Sequence, residues 1–404
     1  MLQVATLQQI SEWNNKGQFY SFFGAGYIAD KTLAKLASSP QVIFDNNRDI
    51  NTRSQDGIPI FLPTAELLCG QKILITSTSI VEIHSQLIDL GVPDESIFVT
   101  PVLSDHYQIS LFESLDFDFL FTSGLQNRSQ SKDLVGGGLY RLTGKFDNYT
   151  IQNILEGPSH GIKQKDGLLY VVNEMHGVAV LDSSMNLVAS YELPLGLRPH
   201  GIDYCSETEE WILACSYGDC ILVLDGNFQL KHTISFSGKM ASFSGKPQHH
   251  TNDVCVHGNY AYCSMFSLNG EFKRGHYDGG LLVIDLIERT ICGSLFGDLS
   301  HPHNVRCFDG EIWVLDSFNR RIMKGSHCIA EGFPSFLRGL DFLNSNLLLL
   351  GQSKNRNFST IKSFVSNPTF LDTSVVVLSL DPFIAKSLSI PSSISEIHAI
   401  HSLI

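Results

Sequence analysis

The sequence predicts two units of different class: an α/β Rossmann-like domain over residues 1–110, then an all-β propeller over residues 111–404, with six blades closed by the C-terminal strand. Three observations predict this. Helix and strand patterns alternate up to about residue 105, whereas strand patterns alone follow from Phe117. A motif that begins His-Gly-Ile at 160 and again at 200 recurs at intervals of roughly 35–60 residues, each time ahead of three apolar strands. A last copy starts at His398 without room for its strands, while three unassigned strands stand at the front, between Phe117 and Leu155.

Composition narrows the class. The chain has 404 residues, 43% hydrophobic and 17% charged. The charged share is below the usual ~25%, so disorder is excluded and a large core expected. Net charge is −13, without a dense basic patch, which excludes a nucleic-acid footprint. No run of ~18 apolar residues exists to span a membrane, and residues 1–17 lack the segments of a secretory signal. Nine cysteines, odd in number, irregularly spaced and without C-x-x-C, argue against disulfides or a zinc knuckle. Buried free thiols in a reducing cytoplasm are expected.

In the first unit, Leu7–Asn15 reads as an amphipathic helix and Phe19–Phe23 as an apolar strand. That strand runs into Gly24-Ala25-Gly26-Tyr27-Ile28-Ala29 and a helical pattern to Leu36. Val42–Phe44 is a second strand, ending at Asp45, and Gly57–Ile60 a short extension. Ala65–Leu68 is helical, Lys72–Thr76 a strand, Ile80–Leu90 a helix closed by Gly91, and Ile97–Val99 a strand. Alternation of this kind implies a parallel sheet with right-handed crossovers.

In the second unit the repeat frame is His160, His200, His250, His303, Arg338 and His398. Each start leads into strands such as LLYVVNE, GVAVLD and LVASYELP. Four strands per repeat describe a propeller blade. The chain end completes the blade that opens the domain, which removes free sheet edges. Insertions follow the second strand at Leu268–Gly279 and Ser353–Thr373.

The segments Gln248–Val254, His301–Arg306, Phe336–Phe342 and Glu396–Ile400 resemble an uncharacterised bacterial family of propellers, a domain of unknown function. Phe23–Ala29, Ile43–Asn47 and Gly57–Ile60 resemble the small Rossmann-like domains of nucleotide-sugar acetyltransferases and other polysaccharide-biosynthesis enzymes. The first resemblance implies a fold without a fixed activity. The second implies a nucleotide or sugar-nucleotide ligand.

Two sets of residues carry chemistry. A strand, a glycine turn and a helix start present backbone N–H groups to a phosphate. Gly24 permits the turn, Gly26 close approach, and Asp45 stands where a carboxylate would meet a ribose, so NAD or a sugar nucleotide is the expected cofactor. In the propeller, equal positions on the innermost strands form a ring at one height. His160, His200, His250, His303 and His398 would therefore line the channel and hold Zn, Fe or Mn, with one position open for water or substrate. Arg338, in the same frame, supplies a fixed cationic fork. Glu174 and Asp316, at second-strand ends beside Asn173, Ser264 and Gln352, are candidates to orient a histidine or act as general base. Asn252, Asp253 and Asn304 follow the ring closely. His249 or His301 could replace a chosen ligand. The same histidines serve equally as structural blade-start residues, or as an anion-binding ring without metal. No Walker loop, G-x-S-x-G or H-E-x-x-H occurs.

The expected function is a metal-dependent lyase, isomerase, hydrolase or oxygenase acting on a sugar-derived or nucleotide-linked small molecule at the channel mouth. The alternatives are a recognition propeller that binds a glycan or protein beside a nucleotide-sensing domain, and an assembly scaffold.

Overall fold

A computed structural model describes residues 2–47, 49, 54–124, 137–237, 248–353, 373–394 and 396–404. The chain divides into two compact units, Met1–Leu115 and Asp116–Ile404. The boundary expected at 110/111 falls inside a helix, Ser104–Glu113.

The first unit holds strands β1 (Gln3–Val4), β2 (Tyr20–Phe23), β3 (Ile43–Phe44), β4 (Ser54–Gln55), β5 (Ile58–Phe61), β6 (Lys72–Ile75) and β7 (Ile97–Val99). Its helices are α1 (Leu7–Asn15), α2 (Tyr27–Leu33), α3 (Ala65–Leu68), α4 (Ile80–Asp89) and α5 (Ser104–Glu113). Together the strands make one small sheet in the order β1-β7-β6-β2-β3-β5-β4, parallel except where β4 meets β5. Alternation within the strands serves two cores. Phe22, Ile43, Leu74 and Phe98 pack with Ile10 and Trp13 of α1 and Ala29 of α2. Their neighbours Phe23, Phe44, Ile75 and Val99 pack with Leu68, Ile83, Leu87 and Tyr107 of α3, α4 and α5. Both faces are covered, as a parallel sheet requires. The sequence reading lacks β1, which is only two residues long, and α5, which places just Tyr107 and Phe112 in the core and so shows no stripe.

The second unit is a six-bladed propeller of four-stranded antiparallel sheets. In five blades the first strand in sequence is innermost: Ser159–Lys165, Pro199–Cys205, Thr251–His257, Pro302–Phe308 and Phe336–Asn344, here blades 2 to 6. Blade 1 runs from Ile400–Ser402 outward through Phe117–Ser123 and Gly138–Lys145 to Asn148–Glu156. Ile400 pairs with Phe121 and Ser402 with Phe119, so the ring closes as the partial repeat predicts. Apolar clusters fill the gaps between blades. Ile212, Ile221 and Val223 of blade 3, for example, meet Val254, Ala261 and Ile284 of blade 4.

The first insertion lies between the second and third strands of blade 4, as expected. The second, except for its end residues Ser353 and Thr373, is outside the described residues. Among the described residues no helix is long and apolar enough to cross a membrane.

Candidate functional site

The pairing within each blade fixes which residues are equivalent. Ser159, Pro199, Thr251 and Pro302 stand opposite Asn173, Cys215, Met265 and Asp316 at the ends of their second strands. Leu337 stands opposite Gln352. The next residues therefore form one tier: His160, His200, Asn252, His303 and Arg338. His398, whose N–H donates to the Thr122 carbonyl at 2.8 Å, is the sixth member. His250 lies two residues earlier than expected, and Asn252 occupies its place.

Five of the six members of this tier line a small cavity of about 20 Å³, and Arg338 stands outside its lining. Its walls are His160, His200, Asn252, His303 and His398. Gly161, Asp253, Asn304 and Ala399, one residue further along each strand, complete its lining.

Two residues before the tier comes a second one: Arg198, His250, His301 and Glu396. The first three adopt positive φ, at 52°, 56° and 55°, unusual for bulky side chains. One carboxylate holds that turn in blade 4. Asp219 accepts the N–H groups of Gln248, His249 and His250 at 2.5, 3.1 and 2.9 Å. The His250 ring lies against Phe266 and Phe272, with centroids 4.4 and 4.6 Å away. Burial, and then the Arg338 and Arg198 charges, pull its pKa down to about 3. His301 packs against Tyr277 at 4.3 Å, and burial with Arg338 brings it to about 4.

Three imidazoles cluster at the cavity. The rings of His160 and His200 stack at 4.4 Å, and His398 meets His160 edge-on at 4.6 Å. His160 Nε2 lies 3.2 Å from Glu174 Oε1, while its buried Nδ1 has no partner. Glu174 also faces Arg198 Nε at 3.6 Å. On the other flank His398 Nε2 lies 3.1 Å from Glu396 Oε1, and Arg338 Nη1 donates to Glu396 Oε2 at 3.1 Å. The mouth thus holds two histidine–glutamate–arginine groups. Burial holds the His160 and His200 pKa values below the ordinary range, so both rings are neutral at pH 7. The Arg338 guanidinium, lowered to about 10 by burial and by Arg198, stays charged there.

His303 has a fixed tautomer. Arg338 Nε–H donates to its Nε2 at 3.2 Å, so Nδ1 carries the proton and donates toward the His301 carbonyl at 2.8 Å. Both nitrogens are engaged, and His303 offers no lone pair to a metal. Among the described residues no group of three or more His, Cys, Asp or Glu is placed to hold a metal ion. The geometry explains why: stacked rings do not aim their lone pairs at one point, and His160 and His398 each turn a nitrogen to a carboxylate.

Asp316, expected as a general base, is not at the mouth chemistry. Its carboxylate is fully buried and accepts from Ser300 N–H, Asn319 Nδ2 and both Arg321 Nε and Nη2 at 2.5–3.0 Å. Sequence reasoning missed Arg198 and Glu396. Their signal was the offset they share with His250 and His301, two residues before the tier.

In the first unit, Gly24 has φ 113°, and a Cβ there would lie 2.9 Å from the Thr76 carbonyl oxygen. Only glycine fits this approach of β2 to β6. Gly26 caps α2, and the space above it is open. The Asp45 carboxylate accepts the Ala25 N–H at 2.8 Å and the Asn47 N–H at 2.8 Å, so it ties down the glycine turn.

No protein-family model matches the chain, and no curated protein does. Among solved structures it is similar to a protein of unknown function from Bacteroides caccae, at 11% identity over 70% of this chain and 97% of that one, with a TM-score of 0.47. A nidogen/laminin complex gives 12% over 70% and 97%, with 0.46. A putative gluconolactonase gives 13% over 58% and 78%, with 0.41. Likenesses this distant carry nothing about ligand or activity, and the six-bladed ring rests on the sheet topology itself.

Proposed function

We propose that the propeller is an enzyme of proton-transfer chemistry, a lyase or isomerase, acting on a carboxylate-bearing small molecule at the channel mouth. The observation that carries this is the His160–Glu174 pair. The carboxylate accepts the Nε2 proton, which leaves an unpartnered, neutral Nδ1 on a ring that lines the cavity. That is the arrangement of an oriented general base. Arg338 and Arg198 would hold the substrate carboxylate and stabilise the charge that spreads onto it when an adjacent C–H is deprotonated. His398, backed by Glu396, would return the proton or protonate a leaving group. Glu174 is then a positioning residue.

The test is proton exchange, read by NMR in D₂O over a panel of hydroxy and sugar acids. Exchange that falls by 10²-fold or more in His160→Gln, at unchanged melting temperature, supports the proposal. Exchange that persists in the variant overturns it. Selective binding without any exchange would instead make this a recognition propeller for a glycan or protein.

A metal reading keeps one supporting observation: the unpartnered nitrogens His160 Nδ1 and His200 Nε2 on adjacent rings. Only with these rings turned out of their stack, so that the two nitrogens converge with His398, would they hold Zn, Fe or Mn, which would supply Lewis-acid activation of a hydroxyl, carbonyl or water. Elemental analysis of protein prepared without chelator, beside a His160→Gln/His200→Gln variant, decides it. Stoichiometric metal lost in the variant favours that reading, and none in either removes it.

For the first unit we propose a Rossmann-like reading, with a nucleotide, NAD or a sugar nucleotide at the Gly24–Gly26 turn. The open space above Gly26 supports it. A thermal shift with nucleotide sugars, absent in Gly26→Leu, is the expected result. All nine cysteines are free thiols, which supports a cytoplasmic location.

A further inference from the structure

Resting on the proton-transfer reading of His160, we infer that the cavity is a site for one water molecule and that this water is the co-product of the reaction. The mouth then removes water from a β-hydroxy acid and, in reverse, adds it to the unsaturated acid.

Size and lining select the occupant. A polar cavity of about 20 Å³ holds one water, which needs about two to four polar partners. Two of them are buried imidazole nitrogens with no partner in the protein. His160 turns Nε2 to Glu174 Oε1 at 3.2 Å, which leaves a lone pair on Nδ1. His200 has the opposite tautomer. Its Nδ1 lies 3.4 Å from Asn252 Oδ1, an atom that only accepts, so Nδ1 carries the proton and Nε2 the lone pair. Asn252 is itself oriented, because its Nδ2 donates to the His250 carbonyl at 3.1 Å.

Two lone pairs call for a ligand that donates twice. A tetrahedral donor with two arms of about 2.9 Å spans about 4.7 Å. That is close to the 4.4 Å between the stacked His160 and His200 rings. An anion has nothing to accept from these nitrogens, and the Asp253 carboxyl adds further acceptors to the same lining. Neighbouring donors are committed elsewhere. His303 Nδ1 donates to the His301 carbonyl at 2.8 Å, and Asn304 Nδ2 to the His398 carbonyl at 2.9 Å. Neither reaches the water's oxygen, whose lone pairs stay available for bond formation.

In the dehydration direction, His160 Nδ1 takes the proton from the carbon next to the substrate carboxylate. The C–H electron pair forms the C=C bond as the β C–O bond breaks. The departing hydroxide takes that same proton back from His160 Nδ1, so on this step the leaving group is protonated by His160 rather than by His398. The water so formed donates to His160 Nδ1 and to His200 Nε2. Hydration is the reverse, and the step balances without a further reactant.

The test uses the full chain in oxygen-18 water, with mass spectrometry as the readout. The probes are crotonate and fumarate for hydration, and β-hydroxybutyrate, malate and gluconate for exchange of the β-oxygen. At least one should take up a single labelled oxygen. Uptake should fall by about 10²-fold or more in His160→Gln, and by about ten-fold or more in His200→Phe, which keeps a stacked ring without the acceptor. Independently of any substrate, a high-resolution crystal structure should show one spherical density within hydrogen-bond reach of His160 Nδ1 and His200 Nε2. Nitrogen NMR of histidine-labelled protein should show both ring resonances unmoved by ammonium chloride. Absence of that density overturns the inference, and so does a shift with ammonium, which would make ammonium the occupant. His160-dependent proton exchange without oxygen-18 uptake leaves the proton-transfer reading standing while this inference falls. Proton exchange that persists in His160→Gln, or none with any acid, overturns both.

Discussion

Acidification should unfold the propeller through its buried imidazoles. Burial puts the folded-state pKa of His250 at about 3 and of His301 at about 4. Unfolded histidine titrates near ~6.5. Because the folded value is depressed, the folded state favours the neutral ring. Stability is complete above about pH 6.5 and is lost as pH falls toward the folded pKa. From pH 7 to pH 5 each ring costs about 2 kcal/mol, so the two together cost about 4 kcal/mol. That compares with a total domain stability of about 5–15 kcal/mol. His160, His200 and His303, all lowered by burial, act in the same direction. Asp253, which burial raises, acts in the opposite one. The assay is urea unfolding at pH 7, 6 and 5, followed by fluorescence of the buried Trp211 and Trp313. His250→Phe keeps the stack on Phe266 and Phe272 without a titrating group, so its pH dependence should be shallower by about 2 kcal/mol over the same interval. Unchanged stability at pH 5, or a variant with the original slope, would refute the assignment of a neutral buried His250.

Three further outcomes are expected. Gly201→Ala should lower stability by about 1–3 kcal/mol, because the new methyl meets Asp253 and the Val254 backbone N at 2.6 Å, whereas Gly226→Ala, with open space around it, should be near neutral in the same thermal melt. Asp219→Ala strands three backbone N–H groups and should cost about 2–4 kcal/mol, measured by denaturant midpoint. Removing residues 397–404 uncovers the edge of Phe117–Ser123, and size-exclusion chromatography should show association or misfolding rather than a folded ring.

The six blades and their closure were legible because each blade repeats the same apolar strands after one short motif, and because the unfinished copy at His398 matched the unclaimed strands at Phe117. The frame slipped at blade 4. Matching on the histidine letter aligned His250 with His160 and His200, although the apolar third position (Ile162, Ile202, Val254) aligns Asn252 instead. Pairing of Thr251 with Met265 decides between them, and pairing is not written in a single strand. Asp316 was misread for a related reason. A second-strand end looks the same in sequence whether its carboxylate faces the channel or, as here, Arg321. Glu174 was legible as a partner for a histidine from its place at a second-strand end, whereas Glu396, only two residues before His398, carried no repeat signal of its own. In the first unit, β2 and β6 were readable as strands, but a strand as short as β1 carries too few residues to show any pattern.

Ring closure has a consequence for the timing of synthesis. Glu396 and His398 follow every other residue of the mouth in chain order, and they are the segment that closes blade 1. A ribosome-bound chain with five finished blades therefore has one histidine–glutamate–arginine group assembled and the other absent, its Arg338 facing no carboxylate. Completion of the mouth and mechanical closure arrive in the same step, so a truncated or stalled product should lack half of the site as well as being open-edged.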